Sequence, residues 1–177
     1  MRVSYHYWDL ELRKKHLLNK IGLDLGQKHL FITPLCDYNY FKFCTEIISK
    51  IDNAILIVFD SMDFGPFSKA WYQNIGRAQY DRHARHLGNV RNIDLCMLID
   101  LTKGVVLPDP SVLIVNYNDF LMSAIMRAKP VIKSDLYNPS LPNMIKENTI
   151  NIDPVDNKKW VQILTEIISY PEDVSFP

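Results

Sequence analysis

Glycine is scarce in this chain, six among 177 residues, and no G-x-G-x-x-G follows the first apolar run. That argues against the glycine-rich turn on which a dinucleotide pyrophosphate rests. Cysteine is scarcer still. Cys36, Cys44 and Cys96 are odd in number and lack C-x-x-C spacing, which predicts free, buried thiols in a reducing compartment rather than a disulfide framework. No apolar run approaches the ~20 residues of a membrane span. The opening MRVSYHYWDL has no signal-peptide core. The sequence therefore predicts a cytoplasmic protein without a membrane span. A charge excess is missing too, since 20 basic residues balance 20 acidic ones. Nothing overall points to nucleic acid as a partner. Ser61, Ser111 and Ser123 stand outside any G-x-S-x-G context, so a hydrolase nucleophile has no support.

What remains is ordinary globular material, 47% hydrophobic and 23% charged, of a length that suits one domain. Its most legible stretch is DPSVLIVNYNDFLMSAIMRAKPVI, residues 109–132. Phe120, Leu121, Ala124, Ile125 and Ala128 share one helical face. Asn118 stands where a cap is expected. Lys129-Pro130 is expected to stop the helix, and Val131-Ile132 to open a strand. A loop, a helix and a strand in this order make a βαβ unit. Ligands of such sheets sit outside the carboxyl ends of the strands, so residues 110–119 are the first place to look for function.

The same punctuation recurs along the chain. Residues 3–7 read as a short strand or extended lead-in. A helix then follows from Asp9, its candidate cap, with Leu10, Leu17, Leu18 and Ile21 on one face and Gly22 and Gly26 closing it. HLFITPL (29–35) is a strand, and 40–50 a helix with Phe43, Cys44, Ile47 and Ile48 inward. AILIVF (54–59) is an unbroken apolar run suited to a strand covered on both faces. A helix is expected over 68–85, with Arg77, Arg82, His83, Arg85 and His86 placed favourably at its C-terminal end. His83 and His86 lack an acidic residue to complete a metal site. A strand at 86–90, a helix near 95–101 and the strand GVVL (104–107) lead to the stretch above. Beyond it, KSDLYNPSLPN reads as a polar loop, 144–147 as a helical turn and 149–152 as a strand. Asp156 caps a last helix carrying Trp160, Ile163, Leu164, Ile167 and Ile168, which Pro171 ends. Trp71 and Trp160 read as core, whereas Tyr38, Tyr40 and Phe41 are open to either burial or stacking on a base or sugar ring.

Strand and helix alternate about six times. The predicted class is α/β, a single Rossmann-like three-layer domain with about six parallel strands and helices on both faces. Residues 1–27 form a helical lead-in and 28–177 the domain.

From about Leu30 to Asp173 the order of elements resembles the C-terminal, nucleotide-sugar-binding domain of GT-B glycosyltransferases of the family four type. The phrases that carry the likeness are LFITPL, AILIVFD, HLGNVRNIDLCMLI, GVVLPDPS and INIDPVDNKKWVQILTEII. The most specific is SAIMRAKPVIKSD, set against the family's E-A-M-A-x-G-K-P-V-I. The resemblance implies transfer of a sugar, of the hexosyl type, from a nucleoside diphosphate donor. It implies no metal or other cofactor. It also implies completion by an acceptor-binding domain, a partner subunit or a second copy.

The family's signature side chains are replaced. Its Arg and Lys after the first strand fall near Pro34 and Asn39, with Lys42 three residues late. Its two glutamates fall near Val115 and Ser123, and Asp119 is the acid left in that loop. The candidate donor-binding residues are Asn39, Lys42, Arg91, Ser111, Asn118 and Ser123. Lys42 and Arg91 would hold phosphates, Asn118 would offer a backbone N–H and Ser123 would face the ribose. No catalytic residue is assigned. A second reading is a catalytically silent scaffold that binds a partner on the same fold. A third is a nucleoside- or NAD-processing enzyme using Glu46 or Glu147.

Overall fold

Short apolar runs that are hydrophobic at every position need cover on both sides, and they obtain it here. In the computed structural model the runs become one sheet of six strands, packed between two layers of helices. The described residues are 3–20, 22–23, 29–34, 38–60, 82–90, 92–107, 117–135 and 143–170. In chain order the elements are α1 (Val3–Lys20), β1 (His29–Pro34), α2 (Tyr38–Ile48), β2 (Ala54–Asp60), β3 (Ala84–Asn89), α3 (Asn92–Leu101) and β4 (Gly104–Leu107). They continue with α4 (Tyr117–Met126), β5 (Val131–Ser134), α5 (Asn143–Glu147), β6 (Ile150–Ile152) and α6 (Asn157–Ser169).

The strands lie in the order β3-β2-β1-β4-β5-β6, and every neighbouring pair is parallel. Side chains alternate across the sheet, so each strand feeds two cores. On one face Ile32, Ile57 and Leu107 meet Leu18 of α1, Leu98 of α3 and Leu121 of α4. On the other Phe31, Leu56 and Val106 meet Ile47 of α2 and Trp160 and Leu164 of α6. Trp160 is fully buried. Its ring stands edge-on to Phe43 at 5.9 Å, and its indole N–H donates to the Asp153 carbonyl at 3.1 Å.

Two helices end in the same hydrogen-bonded motif. After α1 the N–H groups of Gly22 and Leu23 donate to the carbonyls of Asn19 and Leu18, both at 3.0 Å. Gly22 has φ +66°, and Leu18 and Leu23 are both buried, as this left-handed cap prefers. After α4 the N–H groups of Ala128 and Lys129 donate to Ile125 (2.9 Å) and Ala124 (3.0 Å). There the left-handed position, φ +53°, is held by alanine. At α6 Asp156 is the N-cap, accepting from the Lys159 N–H at 3.0 Å, where the sequence places it.

Several expectations are corrected. Residues 3–7 are not a strand but the first turns of α1, and Asp9 lies inside that helix. A single continuous helix satisfies its own backbone, which an isolated lead-in strand would not. Arg85 and His86 belong to β3, not to a helix end, because Ala84 and Leu87 both enter the core. The expected helix over 68–85 lies mostly outside the described residues. The helix of the βαβ unit starts at Tyr117, so Asn118 is in its first turn and not its cap. The same helix closes at Met126, through Ala128 rather than through Lys129-Pro130. Finally, β5 continues through Lys133 and Ser134, both buried, where the sequence reads as polar loop.

Candidate functional site

The order 3-2-1-4-5-6 reverses direction between β1 and β4, and this switch point is where an open α/β sheet forms a ligand crevice. β1 ends at Pro34 and β4 at Leu107. Their register, Phe31 with Gly104 and Ile32 with Val105, brings both carboxyl ends to one edge. Because each crossover helix runs back against its strand, α2 starts at this edge on one face and α4 starts at it on the other. The free N–H groups of a helix's first turn carry partial positive charge and suit an anion.

At the opposite, amino end of β4 the chain approaches the start of β5 closely, and Gly104 permits it. A Cβ at Gly104 would lie 2.9 Å from the Pro130 carbonyl oxygen. That oxygen accepts from the Val105 N–H at 2.9 Å. The Leu107–Lys133 pairing then sets the two strand ends side by side.

The predicted site residues divide into three groups. Lys42 is exposed on α2, its ammonium 3.8 Å from Glu46 one turn along. Ser123 is half-buried near the middle of α4, and its carbonyl accepts from Arg127 at 3.2 Å. Asn39 and Asn118 are backbone members of the first turns of α2 and α4, so four of the six candidates lie on helices that start at the switch-point edge. Arg91 and Ser111 lie outside the described residues, as do Val115 and the 110–116 part of the loop.

Phe41 is resolved in favour of core, buried against Ile47 and Ile48. Glu46 and Glu147 are exposed near the C-terminal ends of α2 and α5. Those helix ends return to the amino edge of the sheet, so neither glutamate lies at the switch point. Among the described residues no three His, Cys, Asp or Glu side chains gather as metal ligands, and no helix is long and apolar enough to cross a membrane. His29 opens β1 at the amino edge. Burial, and then the nearby Lys103 charge, hold its imidazole below the ordinary histidine value.

Sequence reading missed Lys133. It is 6% exposed, and its ammonium donates to the Ser134 carbonyl at 3.2 Å. The missed signal is period: continuing the alternation of Val131 and Ile132 by two residues places Lys133 on the face of α4 and Ser134 on the face of α6.

The sequence matches no family profile and no curated protein. Its fold does match solved structures. HepE of Anabaena, in complex with UDP-glucose, superposes with a TM-score of 0.62 at 14% identity, over 89% of this chain and 43% of that one. ADP-heptose LPS heptosyltransferase II of E. coli gives 0.61 at 13%, over 89% and 51%. The C-terminal domain of LpcC, a group 1 glycosyl transferase family protein of Francisella tularensis, gives 0.53 at 14%, over 89% and 83%. The chain spans less than two thirds of the length of the first two. At such identities the likeness establishes the fold alone, a Rossmann-like α/β domain similar to those of these glycosyltransferases, in agreement with the resemblance of the sequence.

Proposed function

We propose that this domain binds a nucleoside diphosphate sugar at the carboxyl edge of its sheet and serves sugar transfer together with an acceptor-binding domain or subunit. The observation that carries the reading is the switch point, where two helix starts, one on each face, converge on one edge of β1 and β4. A diphosphate is the ligand part that such an edge suits, because helix N-termini and cations both favour it. The same fold in HepE is found in complex with UDP-glucose. In this reading Lys42 and Arg91 hold phosphates, the α4 backbone at Asn118 donates N–H, Ser123 meets the ribose, and Asn39 and Ser111 line the approach. Charge on the leaving diphosphate is met by these groups without a metal or other cofactor, and the free thiols fit a cytoplasmic setting.

Binding is tested by thermal unfolding with uridine and adenosine diphosphates and their glucose conjugates at millimolar concentration. A ligand of the folded state raises the midpoint in proportion to the logarithm of its concentration. An unmoved midpoint with all of them removes the proposal. The replacement of both family glutamates, by Val115 and Ser123, favours one second reading, a scaffold that binds a partner and catalyses nothing. A stable complex or oligomer by size measurement, with no nucleotide shift, is its expected result.

A further inference from the structure

A helix lying on the surface of a domain usually shows one apolar line, turned inward. In α1 that line is Leu17 and Leu18, both buried in the core that α3 shares. The Arg13 guanidinium, 3.4 Å from Asp94, ties the same side to α3. On the opposite side Glu11, Leu12, Lys15, His16 and Asn19 are exposed. Their spacing, i, i+1, i+4, i+5 and i+8, is that of one helical face. Leu12 is 63% exposed. Carried back through the first turns of α1, this face takes in positions 5 and 8, a tyrosine and a tryptophan. Positions 5, 8, 12, 15 and 19 step alternately by three and four, the spacing of a seam along which one helix meets another.

The two halves of this seam differ in chemistry. Tyr5, Trp8 and Leu12 come first, with Asp9 beside them, and Lys15, His16 and Asn19 follow. Such a line fits its own reverse. About a two-fold axis at Leu12, position 9 of one helix stands across from 15 of the other, 8 from 16 and 5 from 19. Each pair of helices then sets an acid against a lysine, and a tryptophan beside basic side chains, twice over. A parallel pair would set Asp9 on Asp9 and Lys15 on Lys15, like charge against like. Glu11 is engaged within its own helix, 3.1 Å from Lys14, so Asp9 is the acid that serves.

We propose that the outer face of α1 joins two copies of this chain as an antiparallel helix pair crossing at Leu12. The inference stands apart from the nucleotide-sugar reading, and neither requires the other. An anionic membrane surface suits this face less, because Asp9 and Glu11 border its apolar half.

The test is molar mass by sedimentation, from micromolar to millimolar chain. The expected result is a concentration-dependent dimer. Leu12→Glu places two carboxylates at the axis, and Lys15→Glu sets a carboxylate against Asp9. Each is expected to weaken the dimer ~10-fold or more. The double exchange Asp9→Lys with Lys15→Glu reverses both charges of the pair and is expected to recover it. Leu12 and Lys15 are exposed, so the thermal midpoint of each single variant at high dilution is expected to hold. A chain that stays monomeric throughout overturns the proposal. So does a dimer indifferent to Leu12→Glu, or a double exchange no better than Lys15→Glu alone. A monomer that sediments with phosphatidylserine vesicles, and ceases to as Leu12→Glu, overturns it in favour of a membrane surface.

Discussion

The crossover β1–α2–β2 lies on one face of the sheet and β4–α4–β5 on the other, and the two keep charge and strain in different places. The first carries Lys42 in solvent with a glutamate partner. The second carries Lys133 inside, at a strand end. Among the described residues each crossover has one left-handed residue. In the first it is Asn53, φ +58°, of a type that visits this region readily. In the second it is Ala128, φ +53°, which does not. The second also contains Gly104, where a side chain would strike the neighbouring backbone. The first crossover is thus relaxed and locally satisfied, and the second is held in place by its surroundings. Both features, Ala128 and Gly104, lie at the amino edge, where β4 begins and α4 returns to β5, and not at the switch point.

The comparison breaks most visibly at Trp160, which pins the first crossover by packing on Phe43. Trp160→Ala is expected to cost about 3–5 kcal/mol in urea unfolding, from lost burial and an emptied core. A cost under about 1 kcal/mol would mean that α2 and α6 do not depend on each other. Gly104→Ala probes the second crossover. It is expected to cost about 1–3 kcal/mol, because backbone rather than a side-chain tip must yield. Ala128→Gly should do the opposite and raise stability by roughly 0.5–1 kcal/mol, relief of the left-handed strain exceeding the added freedom of the unfolded chain. A loss there would show that the cap is not strained. Lys42→Ala is expected to change stability by less than ~0.5 kcal/mol, since its ion pair is exposed.

The last test is one of acidity. His29, at the start of the first crossover, has its imidazole held below the ordinary value by burial and by Lys103. The unfolded chain then binds a proton that the fold resists. The stability His29 contributes is present above its unfolded pKa of about 6.5 and is lost as pH falls from there through the lowered value. His29→Gln is expected to flatten unfolding stability over that window, and an unchanged profile would remove the assignment.

Most of the fold is legible in the sequence where burial is one-sided or complete. AILIVF admits few readings other than a covered strand, and the stripe of α6 with Asp156 before it is local chemistry at both ends. Legibility fails where a local preference is overruled from a distance. Val3 to Tyr7 carry β-branched and aromatic residues, yet they continue into one long helix. Ala128 gives no sign of a left-handed bend, because alanine is the best of helix formers. Lys133 reads as solvent because charge usually is, and only the strand pairing with Leu107 reveals it as interior. The site is less legible than the fold for the same reason: its position follows from strand order, which no single segment encodes.

The seam between β1 and β4 also bears on how the molecule is made. Strands β1, β2 and β3 are neighbours in space and in chain order, as are β4, β5 and β6. The pairing of Phe31 with Gly104 is different, since it closes a loop of roughly 70 residues before any contact rewards it. Each half has nearer partners to find first. The β1–β4 pairing is then expected to form last, and Gly104→Ala, which disturbs the end of β4 that pairs with Phe31, to slow folding as well as to lower stability. Refolding of the Gly104→Ala chain in stopped flow is where that would be read, as a slowed folding arm.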